Sequence, residues 1–463
     1  MTDRIRRIVV QSLICIVVAF CGTTLHGADD DIRPYVKNPR YWQYRGKPVL
    51  LLGGSVEDNL FQIPELIKQL DLLESVGGNY VRNTMSSRDE GNVWPFKMVD
   101  GKYDLDQWND QYWQRFDTFL KETQKRSIIV QIEVWATFDY YRDPWEKHNP
   151  FAPKNNRTYT TKSSGLPNRV DSHPLQLRNP FVRSIPSEEN LPIVLKYQEK
   201  FVEKLLSYSL QYGNVLYCMD NETAASPAWS EHWAMFIRRH AEQAGKTVYL
   251  TEMRDPWDIL DRKHDVTFDN PQLYGFVDIS QNNHNKGQKH YDLPQRRRQQ
   301  IADNPRPLNN VKVYGADTGR FGNSRDGIER FWRNIFGGLA ATRFHRPDSG
   351  LGLSPQAQRN IHSAREVTDA FDIFSCEPHN DLLSERSENE AYCLANPAGQ
   401  FAVYFPAAGD VRLKLQPTVH AKARLRWYDI DHGKWQPAID ISRDSVILKT
   451  PSDGQWAAVI AAE

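Results

Sequence analysis

The chain has 463 residues, and its 58 Lys+Arg are balanced by 58 Asp+Glu, so the formal net charge is zero. Without a basic stripe or an acidic tail, nucleic acid and anionic membrane surfaces are not expected partners. The length exceeds that of a typical single domain and predicts one large domain with a smaller one. Aromatic residues reach 11%, which fits either a large core or a cleft that stacks on ring-shaped ligands.

Residues 1–27 have the pattern of a secretory signal. Arginines precede an apolar run over residues 8–21, and Gly27 offers a cleavage point. The apolar run is too short and too weakly flanked to predict a membrane span. Acylation at Cys21 is disfavoured because the bulky Phe20 precedes it. We therefore expect a secreted or periplasmic protein without stable membrane insertion.

Three cysteines remain beyond the signal: Cys218, Cys376 and Cys393. The number is odd and there is no CxxC pair, so neither a disulfide framework nor a zinc site is indicated. Buried free thiols are the expected state, with a Cys376–Cys393 bridge as the alternative.

Eight short apolar runs, rich in β-branched residues, alternate with amphipathic helical patterns. The runs are residues 48–53, 79–85, 127–135, 215–219, 247–252, 276–280, 311–316 and 340–344. Such alternation predicts a parallel sheet buried on both faces. Eight repeats favour a closed (β/α)8 TIM barrel over an open doubly wound sheet, and no GxGxxG follows any strand. We expect this α/β barrel to occupy residues 28–376.

The segment 136–190, after the third strand, is dense in Pro, Asn, Ser and aromatic residues and lacks helical periodicity. Loops this long are usually functional, and this one lies on the side where barrel proteins build their sites. We expect it to form one wall of a cleft. Tyr140, Tyr141, Trp145 and Phe151 would be its ligand-stacking platforms.

From residue 377 the pattern changes to short strands separated by turn residues. The strand-like runs are residues 391–394, 401–405, 411–415, 423–428, 445–448 and 456–461. They predict a small antiparallel β-sandwich domain over residues 377–463. Packing against the barrel and binding a ligand are both open roles for it.

The C-terminal ends of the predicted barrel strands carry many polar and charged residues, and in this fold those ends point into the functional site. The candidates are Glu57, Asp58, Arg82, Asn83, Arg88, Glu133, Trp135, Asp220, Asn221, Glu222, Glu252, Gln281, Asn282, Asn283, His284, Asp317, His345 and Arg346. Charged side chains are almost never buried unpaired, so this crowding indicates a site. An ion-pair network that serves stability alone is the alternative.

The sharpest motif is Asn221-Glu222 at the end of strand four. It resembles the Asn-Glu pair of clan A retaining glycoside hydrolases, and Arg82 resembles that clan's strand-two arginine. The mature chain as a whole is similar to bacterial cellulase-like and apiosidase-like proteins whose C-terminal domain is described as collagen-binding. The resemblance implies that Glu222 is the general acid/base, that Asn221 binds the sugar 2-hydroxyl, and that Arg82 keeps the nucleophile ionised.

The second carboxylate departs from the clan pattern. The clan has a nucleophilic Glu on strand seven, whereas the positional match here is Asp317, which is one methylene shorter. Glu252 competes for this role, and Glu133 is a third candidate. If Asp317 is withdrawn from Glu222, a water-activating base is favoured over a nucleophile, although the Asn221-Glu222 and Arg82 matches favour retention. The expected substrate-binding residues are Asn221, Arg82, Asn83, Glu133, Trp135, Asn283, His284, His345 and Asp58.

The sequence thus predicts a secreted glycoside hydrolase that cleaves an O-glycosidic bond in a poly- or oligosaccharide. It would use two carboxylates and neither a cofactor nor a metal. No GxSxG or HExxH motif is present, and the histidines lack close ligand spacing. We expect Glu222, Asp317 and Arg82 to open into one pocket. The alternative is a non-catalytic carbohydrate-binding barrel that has lost its nucleophile.

Overall fold

The computed structural model describes residues 31–318, 321–415, 423–441 and 445–462. The signal segment predicted over residues 1–27 lies outside them. The described chain begins with a small antiparallel sheet. Its strands are β1 (Arg33–Tyr35), β2 (Asn38–Tyr44) and β3 (Lys47–Val49). From this sheet Trp42 packs against the first residues of the barrel strands, and its indole Nε1 donates to Asn309 Oδ1 at 2.9 Å.

The next ten strands contain the barrel. They are β4 (Leu51–Gly54), β5 (Tyr80–Thr84), β6 (Phe96–Val99), β7 (Lys102–Trp108), β8 (Ile129–Trp135), β9 (Val215–Asp220), β10 (Leu250–Thr251), β11 (Val277–Asp278), β12 (Leu308–Val313) and β13 (Ala341–Phe344). Apart from the β6–β7 hairpin, they form one parallel sheet in the order β10-β9-β8-β5-β4-β13-β12-β11. Asp278 N–H donates to Thr251 Oγ1 at 3.1 Å across the remaining gap. The sheet is nearly closed, and the predicted barrel is confirmed.

Helices alternate with these strands. They are α1 (Leu66–Ser75), α2 (Asp110–Lys125), α3 (Thr161–Ser164), α4 (Pro192–Ser209), α5 (Pro227–Gln243), α6 (Asp265–Phe268), α7 (Gly287–Gln300), α8 (Ser324–Phe336) and α9 (Pro355–Thr368). Several begin with a proline after a capping residue, as α5 does where Ser226 Oγ accepts from Trp229 N–H at 3.1 Å. Within the described ranges, no helix combines the length and apolarity that a membrane crossing requires.

Strand seven ends earlier than the sequence pattern predicts. The expected strand covered residues 311–316, whereas β12 is Leu308–Val313. Gly315 then turns the chain with φ +119°, and a Cβ built there would lie 2.4 Å from the backbone nitrogen of Gly327. Only glycine tolerates both conditions. The chain has therefore left the barrel before it reaches Asp317, so Asp317 does not lie at the end of this strand.

The long loop after β8 contributes more to the core than expected. Trp145 and Phe151 are 0% and 5% exposed, and Tyr140 is 7% exposed. The prediction that these three are ligand-stacking platforms is wrong, because their rings pack inside the protein. Tyr141, which is half-buried, does face a groove of about 810 Å³ that Arg346 also lines.

The C-terminal part consists of antiparallel strands. They are β14 (Glu377–Pro378), β15 (Leu383–Ser384), β16 (Tyr392–Ala395), β17 (Phe401–Phe405), β18 (Asp410–Lys414), β19 (Ala423–Asp429), β20 (Lys434–Trp435), β21 (Ile439–Ile441), β22 (Ser445–Lys449) and β23 (Trp456–Ala462). A larger sheet runs β14-β16-β17-β23-β19-β20 with β21 on β19, and a smaller one runs β15-β18-β22. Their facing side chains, including Phe405, Trp427 and Leu448, form a separate apolar core.

The other face of the larger sheet packs on the barrel through α8. The Trp332 ring stacks on that of Tyr404, with centroids 5.6 Å apart, and Trp332 Nε1 donates to Asn360 Oδ1 at 2.8 Å. Within the described chain, the cysteines at 218, 376 and 393 are all buried free thiols. The alternative of a bridge between the last two is therefore not realised.

We predict that Trp332→Ala lowers the free energy of unfolding by about 3–5 kcal/mol, because it empties a fully buried ring site between α8 and the larger sheet. The matched control is Trp257→Ala, since Trp257 is 59% exposed, and it should cost at most about 1.5 kcal/mol, because it loses only the stacking of this ring on His284. Urea denaturation followed by circular dichroism measures both. Equal losses in the two variants would contradict the packing described for Trp332.

Candidate active site

The floor of the barrel mouth is a buried ion network centred on Arg82 of β5. Its Nη1 lies 2.7 Å from Asp58 Oδ1, and its Nε donates to Glu133 Oε1 at 2.6 Å. Arg82 is 1% exposed and Glu133 is 0% exposed. A buried arginine between two carboxylates compensates charges that would be costly to bury alone.

The two carboxyl groups of this floor have pKa values shifted in opposite directions. Burial alone would raise the pKa of Asp58, but Arg82, His345 and Arg343 outweigh it and hold that pKa well below its usual range. Burial raises the pKa of Glu133, and Arg82 opposes this effect only in part. His345 Nδ1 lies 3.6 Å from Asp58 Oδ1, so the predicted histidine does join the network.

Glu222 follows β9 in a left-handed backbone conformation, with φ +54°. For a non-glycine residue this conformation costs on the order of 1–2 kcal/mol. Backbone hydrogen bonds of the two flanking residues hold Glu222 in this conformation. Asn221 N–H donates to the Trp135 carbonyl at 3.1 Å, and Thr223 N–H donates to the Met253 carbonyl at 2.9 Å. The neighbouring strands thus fix the backbone that carries the Glu222 carboxylate.

Lys312 of β12 meets Glu222 across the mouth. Its Nζ donates to Glu222 Oε1 at 2.5 Å and to Asn221 Oδ1 at 2.9 Å. Burial would raise the pKa of Glu222, but Lys312 and Arg82 outweigh it, and the net pKa is lowered. Glu222 is therefore a carboxylate at neutral pH. Its side chain is 16% exposed, and within the described residues its Oε2 accepts no hydrogen bond.

Aromatic rings form the rim. Tyr314 lies 4.7 Å from His345 and 4.6 Å from Phe321, measured between ring centroids. Burial, and after it the negative charge of Glu222, raise the pKa of the Tyr314 phenol. Trp257 stacks on His284 at 4.0 Å with an interplanar angle of 17°. The exposed indole offers an apolar face to a ring-shaped ligand.

A second titratable carboxyl group, Asp255, lies in the loop after β10. Its backbone N–H donates to the Thr223 carbonyl at 3.1 Å, which places it beside the segment that carries Glu222. Burial and the charge of Glu222 raise the pKa of Asp255 to about 6, against the lowering effects of Lys312 and Lys263. The side chain is half-buried, and no described residue donates a hydrogen bond to it.

Two of the predicted catalytic residues are not brought to this mouth. Asp317 is exposed, and its Oδ1 accepts from Ser324 N–H at 3.1 Å at the start of α8. Glu252 is 1% exposed. Its Oε1 accepts from the backbone N–H of Asp220 and its Oε2 accepts from Ser230 Oγ of α5, at 3.0 and 2.6 Å. The expectation that Asp317 opens into one pocket with Glu222 is corrected, because Gly315 turns the chain away first.

Three of the residues predicted to bind substrate also lie away from the barrel mouth or are fully enclosed by protein. Asn83 is buried, and its Oδ1 accepts from Phe61 N–H at 3.0 Å. Trp135 belongs to a cluster of buried rings, with its centroid 4.9 Å from that of Trp233. Asn283 is 0% exposed, and within the described residues its amide has no hydrogen-bond partner.

The structure brings together most of the remaining predictions. Asp58, Arg82, Glu133, Asn221, Glu222 and His345 form the network, and His284 lies on the rim. Sequence reasoning missed Lys312, Asp255 and Trp257. Lys312 carried a visible signal, because a lysine inside an apolar barrel strand is almost never buried without a partner. For Asp255 the sequence carried no signal.

The arrangement is suited to proton transfer. An ionised carboxylate, Glu222, and a carboxyl group with a raised pKa, Asp255, lie on two segments joined by backbone hydrogen bonds, and such divergent pKa values are typical of acid/base sites. In the described parts of the chain, no group of three or more His, Cys, Asp or Glu side chains could hold a metal ion.

No protein-family model matches the chain, and no curated protein sequence matches it. Solved structures do match. A glycoside hydrolase family 5 protein from Bacteroides vulgatus is 12% identical, with 94% of each chain covered and a TM-score of 0.65. Another, described as a glycoside hydrolase, is 12% identical over 94% of this chain and 97% of that one, with a TM-score of 0.66.

A third solved structure is a glycoside hydrolase family 5 mannosidase from Rhizomucor miehei, 12% identical over 73% of this chain and 97% of its own, with a TM-score of 0.52. At such low identity, these likenesses show a shared fold.

We predict that Lys312→Met lowers the free energy of unfolding at pH 7 by about 3 kcal/mol, because it leaves the Glu222 charge uncompensated. Without Lys312, burial raises the folded-state pKa of Glu222 above its unfolded value. The loss should therefore shrink as the pH falls through that raised pKa. Urea denaturation at pH 7 and pH 4.5 measures this difference.

The matched control is Lys121→Met, which removes an exposed lysine 3.0 Å from Asp117 and should cost less than about 0.5 kcal/mol. The double variant Lys312→Met/Glu222→Gln should recover part of the stability lost in the single variant. A loss that does not depend on pH would contradict the ion pair as its cause.

Proposed function

We propose that this chain is a glycoside hydrolase that binds a sugar at the C-terminal mouth of the barrel. The observation that carries this proposal is the Glu222 carboxylate, fixed beside Asn221 and Lys312 and reachable from solvent. Hydrolysis of a glycosidic bond requires a carboxylate at the anomeric carbon and a proton source at the departing oxygen.

The surroundings of Glu222 support a sugar as the ligand. Trp257 presents an exposed aromatic ring near a polar floor, and sugars combine apolar C–H faces with hydroxyl groups. Asn221 and His345 would bind hydroxyl groups of the substrate. The similar solved structures that are themselves glycoside hydrolases also support the proposal.

Finer features of this assignment stay predictions. The signal pattern supports action in the periplasm or outside the cell. The resemblance to apiosidase-like proteins supports a plant, algal or bacterial polysaccharide fragment as substrate. The division into a barrel over residues 28–376 and a β-sandwich over residues 377–463 remains our proposal, and the collagen-binding character of the latter stays a prediction.

One observation favours a second candidate function, a carbohydrate-binding barrel without hydrolytic activity. Lys312 stands on strand seven, where the related clan carries its nucleophilic Glu, and it forms an ion pair with Glu222. Under this alternative the protein binds oligosaccharides and releases no reducing ends. Calorimetric titration and a reducing-sugar assay on the same oligosaccharides separate the two functions.

We predict that Glu222→Gln lowers the release of reducing sugar about 1,000-fold or more on whichever polysaccharide of a plant, algal and bacterial panel the wild type hydrolyses. Gln keeps the shape of the side chain but removes its charge. The control is Asp317→Asn, at an exposed residue whose Oδ1 accepts from Ser324 N–H at the start of α8, and it should keep at least half of the activity. Loss in Asp317→Asn with full activity in Glu222→Gln would contradict the proposal.

We also predict that Trp257→Ala raises KM about three- to tenfold with little change in kcat, because it removes a stacking surface of about 0.5–1.5 kcal/mol. Trp257→Phe retains an aromatic face and should stay near the wild-type KM. Steady-state kinetics on the hydrolysed oligosaccharide give both values. An unchanged KM in Trp257→Ala would show that the substrate does not contact this ring.

A further inference from the structure

Glu222 is poorly suited to be the proton donor of the reaction. Lys312 Nζ occupies its Oε1 at 2.5 Å, and Arg82 adds a second positive charge nearby. Both cations favour the ionised form, so at neutral pH the group carries almost no proton to give. Its Oε2 has no donor among the described residues, which leaves this oxygen available to attack an anomeric carbon.

Four other acids that the sequence placed at the strand ends do not supply the proton either. Asp58 is held ionised by Arg82, and Glu133 is fully buried against the same guanidinium. Glu252 is bound to α5 and to the backbone of β9. Asp317 is exposed at the start of α8. Each of these groups is either ionised, enclosed or outside the mouth.

Asp255 differs from all of them in its position. Thr223 pairs with Arg254 in a parallel bridge, and the Asp255 N–H donates to the Thr223 carbonyl at 3.1 Å. Asp255 therefore lies next to the residue that follows Glu222. Its side chain is half-buried, and no described residue donates a hydrogen bond to it.

The loop that carries Asp255 is anchored on both sides. Arg254 donates to the Ala225 carbonyl at 2.6 Å and to Ser230 Oγ at 2.9 Å. The Pro256 carbonyl lies 2.8 Å from His264 Nε2. Trp257, two residues further on, presents the exposed indole of the rim. The same short loop thus offers a carboxyl group and a stacking surface to one ligand, with little freedom to move.

We propose that Asp255 is the general acid/base of the reaction and that Glu222 is its nucleophile, an inference that rests on the proposed function. The roles therefore differ from those implied by the clan resemblance, in which Glu222 donates the proton. The raised pKa of Asp255, near 6 through burial and the charge of Glu222, agrees with this role because the group still holds a proton in weakly acidic solution.

In the first step, Glu222 Oε2 attacks the anomeric carbon, and the bond from that carbon to the glycosidic oxygen breaks. The electron pair of that bond goes to the departing oxygen, which takes the proton of Asp255. In the second step, the Asp255 carboxylate removes a proton from water as the water oxygen attacks the same carbon. The ester bond to Glu222 breaks in the same displacement, its electron pair returns to the carboxylate, and the product has retained configuration.

Azide chemistry tests the two roles directly. The probes are 2,4-dinitrophenyl glycosides of glucose, mannose and xylose in both anomeric forms, whose leaving group needs no proton, and the matching methoxyphenyl glycosides. We expect Asp255→Ala to lose about 100- to 10,000-fold in kcat/KM on a methoxyphenyl glycoside. The loss on the dinitrophenyl glycoside should be much smaller when azide is added, and the glycosyl azide formed should have retained configuration.

Glu222→Ala should instead give a glycosyl azide of inverted configuration, because azide then takes the place of the missing nucleophile. The opposite assignment of configurations to the two variants would overturn the proposal. The control is Asp258→Asn, an exposed residue of the same loop, which should keep wild-type rates on both classes of glycoside. Wild-type rates in Asp255→Ala would also overturn the proposal while leaving the proposed function intact.

A measurement without substrate separates the failure of this proposal from that of the proposed function. Carboxyl-carbon NMR of protein labelled at aspartate should give a titration midpoint near 6 for Asp255 in the wild type. The midpoint should be lower in Glu222→Gln, because the negative charge that raises it has gone. An unmoved midpoint would overturn the pairing. If this shift occurs but the wild-type chain hydrolyses none of the probes or polysaccharides, the proposed function fails, and the catalytic role of Asp255 fails with it.

Discussion

The barrel mouth depends on charge compensation between side chains that come from different strands. Lys312 of β12 meets Glu222 after β9, while Arg82 of β5 lies between Asp58 and Glu133. Each of these charges is buried or nearly buried, so each needs its partner to remain ionised. Closure of the barrel brings the partners within reach, and the partners in turn determine the protonation state of the mouth.

This dependence explains why one lysine changes the chemistry of the site. Lys312 on strand seven contacts Glu222, whereas the resemblance implied a second carboxylate from that strand. A carboxylate held this way stays ionised at neutral pH, which suits attack or binding better than proton donation. The nearby Asp255 has the opposite character, because no cation among the described residues contacts its carboxyl group and burial favours its neutral form.

The backbone supports this arrangement at two positions. Glu222 is held with φ +54° by hydrogen bonds to β8 and to the segment after β10. Gly315, with φ +119°, turns the chain out of the barrel just after β12. The first position directs a carboxylate inward, and the second leads Asp317 to the surface. Elsewhere, the ring of Trp332 on α8 stacks on that of Tyr404, and this contact joins the C-terminal sheets to the barrel.

The sequence by itself determined the fold and half of the site. Buried parallel strands must be apolar, so their alternation with amphipathic helices predicted eight strands, most of them within a few residues of their ends. It also placed Arg82, Asn221 and Glu222 together, because parallel strand ends meet at one edge. Only the tertiary structure decided the partners of Glu222. Periodicity locates a strand but not its last residue, so the sequence placed the end of strand seven three residues too late, at residue 316 instead of Val313. The pattern therefore assigned Asp317 to the strand end and overlooked the strand residue Lys312.

The same limit applies to loops. No repeat or motif marks Asp255, since its place beside Glu222 results from a bridge between Thr223 and Arg254, two loop residues after neighbouring strands. Burial, too, is a property of the folded chain, and for that reason Trp145 and Phe151 entered the core although their loop is polar. A carboxyl group becomes an acid or a nucleophile through the charges that folding places next to it, and local sequence does not encode those distances.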